Sequence, residues 1–278
     1  MIPNTLTIAG VDPSGGAGVL ADIKTMSALG AYGMAVIAAL TAQNTQAVTQ
    51  ISPVHPEFVA AQIDTLFADV RVDAVKIGML GQEGVTRVVA ERLAHWHPAH
   101  IILDPVMVAK SGDHLLEKKA IYALRETLLP IATMITPNLP EAGMLLGQTA
   151  PDTLKEMRRM AERLRRLLND HEDCWVFLKG GHLPGQETVD VLHNGDRLIE
   201  LPGRRIQTPN THGTGCTLSA ALAALLPRHP DVPEAAQRAK DYLVRAIARA
   251  DELDVGHGHG PVQHFHAWWP SPDTGSAS

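Results

Sequence analysis

Short apolar runs alternate with segments of helical periodicity along nearly the whole chain. Residues 34–40 and 175–178 are continuously apolar, and residues 5–9 are apolar apart from two threonines, which is typical of strands that are buried on both faces. Between such runs, apolar residues recur at intervals of three and four, as in residues 153–169, which indicates amphipathic helices. The alternation predicts an α/β fold with a mostly parallel sheet covered by helices on both faces.

The pattern predicts six strands, one hairpin and eight helices. The strands are residues 5–9, 34–40, 74–77, 101–103, 133–136 and 175–178, with a hairpin at 189–201 that turns at 194–196. The helices are residues 17–29, 57–70, 83–95, 118–129, 139–146, 153–169, 215–226 and 234–253. Ligands of such folds bind at the carboxyl ends of the strands. The residues that follow each strand are therefore the candidates for function.

Length and composition narrow the class of protein. The chain has 278 residues, 45% of them hydrophobic, and we expect a single domain over residues 1–269 with a disordered tail at 270–278. The net charge is −6 and the basic residues are dispersed, which argues against a nucleic-acid partner. There is no long apolar run and no export signal, so we expect no membrane association and a cytoplasmic location. Two cysteines give no disulfide framework.

The motif NTHGTGC at residues 210–216 precedes an alanine-rich helical run. A glycine-rich turn before a helix directs backbone N–H groups and the positive end of the helix dipole at one point, which suits an anion. Cys216 lies in the first turn, where its thiolate is expected to be favoured and able to accept a proton. The alternative is an ordinary turn followed by a core cysteine.

The loops after the first three strands offer groups for a small ligand. Gly10 begins a glycine-rich loop, and Asp22, in the next helix, could accept hydrogen bonds from a ligand or cap the helix. Gln43 carries a donor and an acceptor that complement the edge of an amino-substituted heteroaromatic ring, or it caps a turn. Met79 could cover the face of a flat ring or belong to the core.

Three later loops offer groups for a metal ion and a phosphate. Asp104 at a strand end suits Mg²⁺. Asn138 and Glu141 have the spacing of a helix capping box, although Glu141 could also hold a water of a metal shell. Lys179, followed by two glycines, suits the oxygens of a transferring phosphate.

Seven motifs together resemble one enzyme family. They are AGVDPSGGAG at 9–18, AQNT at 42–45, KIGML at 76–80, DPVMVAKSGD at 104–113, TPNLPEA at 136–142, KGGHL at 179–183 and NTHGTGC at 210–216. The chain thereby closely resembles the hydroxymethylpyrimidine/phosphomethylpyrimidine kinases of thiamine biosynthesis, within the ribokinase-like superfamily, from about residue 6 to residue 269. The resemblance implies a three-layer α/β/α fold. It also implies that ATP and Mg²⁺ phosphorylate 4-amino-5-hydroxymethyl-2-methylpyrimidine to its monophosphate and then to the diphosphate.

The resemblance also implies roles for individual residues. The pyrimidine would contact Gln43, Asp22, Gly10, Met79 and Met107. Mg²⁺ and its waters would be organised by Asp104 and Glu141, and ATP would contact Lys179, Asn138 and Thr211. Gly213, Thr214 and Gly215 would form the anion hole, and Cys216 would be the base at the position where sugar kinases of the superfamily carry an aspartate.

Two other functions compete with this one. A pyridoxine or pyridoxal kinase would share the Gly-Thr-Gly turn but take a different heteroaromatic alcohol. A catalytically silent module that binds the pyrimidine or the nucleotide would need neither the lysine nor the cysteine.

Three further expectations concern assembly and the C-terminal segment. We expect a homodimer, although no motif reports the oligomeric state. The histidines 257, 259, 264 and 266 are a poor match to zinc spacings, so a structural role is favoured for them. Trp268 and Trp269 are expected to be apolar anchors.

Overall fold

The computed structural model describes residues 1–107, 118–169 and 174–270. Within these ranges, nine strands form one sheet and eight α-helices flank it. The strands are β1 (Asn4–Val11), β2 (Tyr32–Gln43), β3 (Val48–Pro53), β4 (Ala74–Ile77), β5 (Ile101–Leu103), β6 (Met134–Ile135), β7 (Trp175–Leu178), β8 (Glu187–His193) and β9 (Leu198–Arg204). The helices are α1 (Gly18–Ala28), α2 (Pro56–Phe67), α3 (Glu83–Trp96), α4 (Lys118–Ala123), α5 (Leu139–Leu146), α6 (Leu154–Arg165), α7 (Thr214–Leu225) and α8 (Val232–Ala248).

The sheet has the order β3-β2-β1-β4-β5-β6-β7-β8-β9. The six strands from β2 to β7 in this order pair in parallel, whereas β3, β8 and β9 pair antiparallel at the two edges. The parallel centre brings the carboxyl ends of β1, β4, β5, β6 and β7 to one edge of the sheet. The predicted α/β class with a mostly parallel sheet is confirmed.

The sheet and the helices on its two faces form three layers, and each face of the sheet has its own hydrophobic core. On one face, Leu6, Val75 and Leu103 pack against apolar residues of α2 to α6. On the other face, Ile102 and Phe177 pack against α1, α7 and α8. Successive residues of one strand, such as Ile102 and Leu103, enter opposite cores, as the pleat of a strand requires. This explains why the central strands are largely apolar.

The sequence pattern missed the antiparallel edge strand β3. Three of its six residues are polar and all six are half-exposed or exposed, because an edge strand over solvent has no buried face to impose an apolar alternation. The predicted strand at 34–40 is also longer, since β2 continues to Gln43 through its pairing with β3. Gln43 therefore stands on a β-hairpin.

Smaller differences affect helix ends. The predicted helix at 118–129 ends as α4 at Ala123 and continues as one π-helical stretch, Leu124–Leu128. The predicted helix at 234–253 begins two residues earlier and ends at Ala248, followed by the short 3-10 turn Ala250–Glu252. The predicted tail lies outside the described residues, apart from Pro270. No helix in the described ranges has the length and apolar character needed to span a membrane.

We predict that two adjacent glycines after β7 differ sharply in their tolerance of a methyl group. A Cβ on Gly180 would lie 1.8 Å from the Val189 carbonyl oxygen, whereas a Cβ on Gly181 would meet no atom within 4 Å. Gly180→Ala should lower the free energy of unfolding by about 2 kcal/mol or more, because β8 must move away. Gly181→Ala is the matched control and should change it by less than about 0.5 kcal/mol. Urea denaturation measures both, and equal effects would contradict the prediction.

Candidate active site

Residues from four of the converging strand ends meet around one ion pair. Lys179 directly follows β7 and Asp104 directly follows β5, and Lys179 Nζ lies 3.1 Å from Asp104 Oδ1. The Asp104 carboxylate is buried and also accepts hydrogen bonds from the hydroxyls of Thr136 (3.0 Å) and Ser219 (3.3 Å). Burial opposes ionisation of Asp104, but Lys179 and Lys76 outweigh it and lower its pKa. Asp104 is therefore ionised in its buried position.

The start of α5 forms the capping box that the spacing predicted. Asn138 Oδ1 accepts from the Glu141 amide, and Glu141 Oε2 accepts from the Asn138 amide, each at 2.8 Å. The same Glu141 oxygen lies 3.8 Å from Lys179 Nζ. Burial raises the pKa of Glu141 to about 7. Glu141 thus caps α5 and also lies beside the ion pair.

The N-terminus of α7 reaches the same ion pair. Gly213 is the N-cap residue, with φ +77°, and a Cβ on Gly213 would lie 1.7 Å from the Gly16 carbonyl oxygen. A Cβ on Gly215 would lie 3.3 Å from Lys179 Nζ and 3.5 Å from an Asp104 oxygen. The free backbone amides of this turn, which includes Thr214, are therefore beside the lysine, as an anion hole requires.

Cys216 is half-buried between two helix N-termini. It belongs to the first turn of α7, and the amide of Gly18, the first residue of α1, donates a hydrogen bond to it. The expectation of a favoured thiolate is wrong, however. Burial raises the pKa of Cys216 to about 11. Lys76 lowers this pKa, but the nearby carboxylates of Asp22 and Asp104 oppose its effect. The thiol is protonated at neutral pH.

Asp22 does not cap its helix. It is fully buried, and Oδ2 accepts from the Thr7 hydroxyl at 2.6 Å and from Lys76 Nζ at 2.7 Å. Asp22 Oδ1 is buried and has no hydrogen-bond partner among the described residues. An orphaned carboxylate oxygen of this kind is an acceptor for a ligand donor.

The remaining predicted substrate residues lie at different depths. The Met79 side chain packs against Gly10, where a Cβ would come within 2.6 Å of its terminal methyl group. Met107 is fully buried in the core that contains α2 to α6. Gln43 is half-buried, and its Oε1 lies 3.2 Å from the Thr41 hydroxyl. That hydroxyl also lies 2.9 Å from the Val11 carbonyl oxygen.

Two predicted features take no direct part in the cluster. Thr211 is half-buried, and its amide donates to the Pro209 carbonyl. Residues 108–117, which include the end of the motif that begins at Asp104, lie outside the described residues. An open depression of about 320 Å³ lies beside Gly180, and no predicted site residue lines it. Its lining consists of Glu187, Thr188, Val189, Pro202, Gly203 and Arg204.

Sequence reasoning missed a buried pair that joins the two glycine-rich loops. His212 Nε2 lies 2.7 Å from Asp12 Oδ2. Asp12 also accepts hydrogen bonds from the amides of Ser14 (2.9 Å) and Ala17 (3.0 Å), so that one carboxylate organises the first loop. A His and an Asp inside two conspicuous glycine motifs were the available signal, but no spacing rule connects residues so far apart.

A small metal ion fits the carboxylates at this end of the sheet. Among the described residues there is no group of three or more His, Cys, Asp or Glu side chains with metal-site geometry. Asp104 and Glu141 both flank Lys179. A pair of this kind matches Mg²⁺, which typically uses one or two carboxylates and takes its other ligands from phosphate and water.

Two of the four C-terminal histidines, His264 and His266, are buried, as their favoured structural role requires. The His264 ring lies 3.1 Å from the Thr217 hydroxyl, and burial lowers the pKa of His264 to about 3. His266 is buried against Tyr242, whereas His257 and His259 are exposed. Trp268 and Trp269 are 69% and 51% exposed, so the expectation that they are apolar anchors is wrong.

Comparison with known proteins bears on the chemistry of this cluster. The profile of the family described as phosphomethylpyrimidine kinase matches residues 12–263. The chain belongs to this family. It is 52% identical over 267 residues to the hydroxymethylpyrimidine/phosphomethylpyrimidine kinase of Escherichia coli (strain K12), covering 96% of this chain and 98% of that protein.

Two solved structures are similar to the chain throughout. The phosphomethylpyrimidine kinase of Clostridium difficile 630 has a TM-score of 0.77 and 38% identity over 89% of this chain and all of that one. The ADP complex of Bacillus subtilis pyridoxal kinase has a TM-score of 0.87 and 35% identity, covering 96% of this chain and 99% of that one. The ribokinase-like fold is therefore confirmed, and the fold alone does not separate kinases of the two alcohols.

We predict that Cys216 is alkylated slowly at neutral pH. The thiolate is the reactive form, so the rate constant with iodoacetamide should rise about tenfold per pH unit until the pH approaches the pKa of about 11. Mass spectrometry of the Cys216 peptide at each pH measures the rate. The urea-unfolded chain is the control, and its rate should level off near the ordinary value of 9.0. A plateau below pH 8 in the folded protein would contradict the raised pKa.

Proposed function

We propose that this protein is an ATP-dependent kinase that phosphorylates 4-amino-5-hydroxymethyl-2-methylpyrimidine to the monophosphate and then to the diphosphate. The observation that carries the proposal is the position of the Lys179–Asp104 pair against the first turn of α7, with Cys216 beside it. Family membership and the E. coli relative support the choice of substrate.

The cluster supplies what phosphoryl transfer requires. The transition state is loose and anionic, so positioning and neutralisation of charge matter more than covalent chemistry. The amides of residues 213–215 and the Lys179 ammonium would contact phosphate oxygens from two sides. Lys179 is suited to this, because Asp104 and Glu141 outweigh the effect of burial and raise its pKa.

Mg²⁺ would be held by Asp104 and Glu141 and would supply charge neutralisation between the phosphates. Asn138 would remain available through its side-chain amide group, since its oxygen is used in the cap. Thr211, at the entrance of the α7 turn, would contact the nucleotide.

Cys216 would accept the proton of the attacking hydroxymethyl group. Only the thiolate of Cys216 can accept this proton, and with a pKa of about 11 that form is a small fraction of the enzyme at neutral pH. The loose transition state tolerates a weakly activated alcohol. Base catalysis by Cys216 is therefore a moderate contribution beside the electrostatic one.

Asp22 Oδ1 and the Gln43 amide would recognise the donors and the ring nitrogen of the pyrimidine, and Met79 would cover the ring beside Gly10. Met107 would contact the ring from the side of the core.

A pyridoxal kinase is the second candidate, because the B. subtilis pyridoxal kinase has nearly the same fold. The homodimer, the cytoplasmic location and the absence of nucleic-acid and membrane partners stay predictions from the sequence.

The function is tested by ADP release from ATP and Mg²⁺ with and without the pyrimidine alcohol. We expect release to depend on the alcohol, and turnover of pyridoxal under the same conditions to be slower. Alcohol-independent or absent release would contradict the kinase, and faster turnover of pyridoxal would favour the second candidate.

We predict that Cys216→Ala lowers kcat by about 100-fold, the lower range for loss of a general base, while the Kd of ATP changes by less than about threefold. Cys174→Ala is the matched control, because Cys174 is buried in the core that contains α2 to α6 and should leave kcat unchanged. An unchanged kcat in Cys216→Ala would remove the thiol from the catalytic groups.

A further inference from the structure

Lys76 is a buried charge that the steps above do not use. It lies in β4, which is hydrogen-bonded to β1 on one side and β5 on the other, and its side chain is 0% exposed. An ammonium group in the centre of a sheet loses its hydration, and an apolar side chain would pack there at lower free energy. The position therefore calls for a reason other than stability.

The hydrogen bonding of Lys76 within the described part of the chain is confined to one carboxylate. Among the described residues, Asp22 Oδ2 is the only hydrogen-bond acceptor for Lys76 Nζ, at 2.7 Å. Thr7, the register partner of Lys76 on β1, donates its hydroxyl to the same oxygen at 2.6 Å. Two donors from neighbouring strands thus occupy Oδ2 and fix the rotation of the carboxylate.

The other oxygen of Asp22 is left without a partner. Oδ1 is buried and accepts no hydrogen bond from the described residues. Such an acceptor destabilises the protein until a donor reaches it. Asp22 and Lys76 are both close enough to Cys216 to act on its charge, so this free oxygen belongs to the neighbourhood of the reacting alcohol.

We propose that Lys76 is a positioning residue for the substrate, which occupies Asp22 Oδ2 so that Oδ1 is left to accept an N–H or O–H donor of the heteroaromatic alcohol. The inference rests on the proposed function and deepens it. Lys76 acts through Asp22 and does not itself touch the substrate.

A double-mutant cycle tests this dependence. Isothermal titration calorimetry gives the Kd of 4-amino-5-hydroxymethyl-2-methylpyrimidine for the full chain and for Lys76→Met, Asp22→Asn and the double variant. We expect each single variant to weaken binding at least tenfold, and the double variant to be within twofold of Asp22→Asn. The KM of ATP should change by less than threefold in all of them. If Lys76 were purely structural, Lys76→Met would lower the melting temperature, leave the Kd of the alcohol unchanged and show no coupling with Asp22→Asn.

Two more variants protect the test against misfolding and non-specific effects. Thr7→Val is nearly isosteric and removes the other donor to Oδ2, so it should weaken binding about threefold even if Lys76→Met does not fold. Lys240→Met is the matched control, because Lys240 is also a buried lysine, paired with Asp190 at 2.9 Å. It should destabilise the chain and leave the Kd of the alcohol within twofold.

Three results would overturn the inference. They are a Kd within twofold of wild type in both the double variant and Thr7→Val, additive losses in the cycle, or an equal loss in Lys240→Met. Failure of the wild-type chain to bind the alcohol would overturn the proposed function together with the inference. Binding by wild type with unchanged variants would overturn the inference alone.

Discussion

The ion pair between Lys179 and Asp104 is the contact on which the rest of the site depends. A buried carboxylate keeps its charge only beside a cation and hydrogen-bond donors, and Asp104 has both. The same ammonium lies near Glu141 at the start of α5 and near Gly215 at the start of α7. One cation therefore connects two strand ends and two helix N-termini, and loss of either partner would leave an uncompensated charge in the interior.

Charges of opposite sign alternate along this end of the sheet. Asp22 pairs with Lys76, Asp104 interacts with Lys76 and Lys179, and Lys179 approaches Glu141. The thiol of Cys216 lies within this series, between two carboxylates and one lysine. The pKa of Cys216 therefore depends on burial and on these neighbouring charges. The dipole at the N-terminus of α7, which favours the thiolate, does not outweigh them.

Most of the framework could be predicted from the sequence. Central strands such as β4, β5 and β7 have the predicted bounds, because burial on both faces makes them almost entirely apolar. The loops that follow them were identified as the site for the same reason, since parallel strands end at a common edge. The capping box at Asn138 was visible because its two residues are local in sequence.

What could not be predicted depends on distant contacts. The pKa of Cys216 is raised mainly by burial and further by Asp22 and Asp104, and no local pattern relates these two residues to the cysteine. Lys76 is one polar residue in an apolar strand, and only the position of α1 shows that Asp22 neutralises it. Strand β3 has no buried face, so its pairing with β2 leaves no periodic signal in the sequence.

The Asp12–His212 pair has a consequence for biosynthesis on the ribosome. Its two members are 200 positions apart, and α7, which follows the glycine-rich turn, leaves the exit tunnel after all nine strands. A nascent chain therefore lacks an assembled candidate site until α7 has been translated. Translation that stops before this point yields inactive polypeptides, with the buried carboxylates at the strand ends lacking the partners that α7 brings.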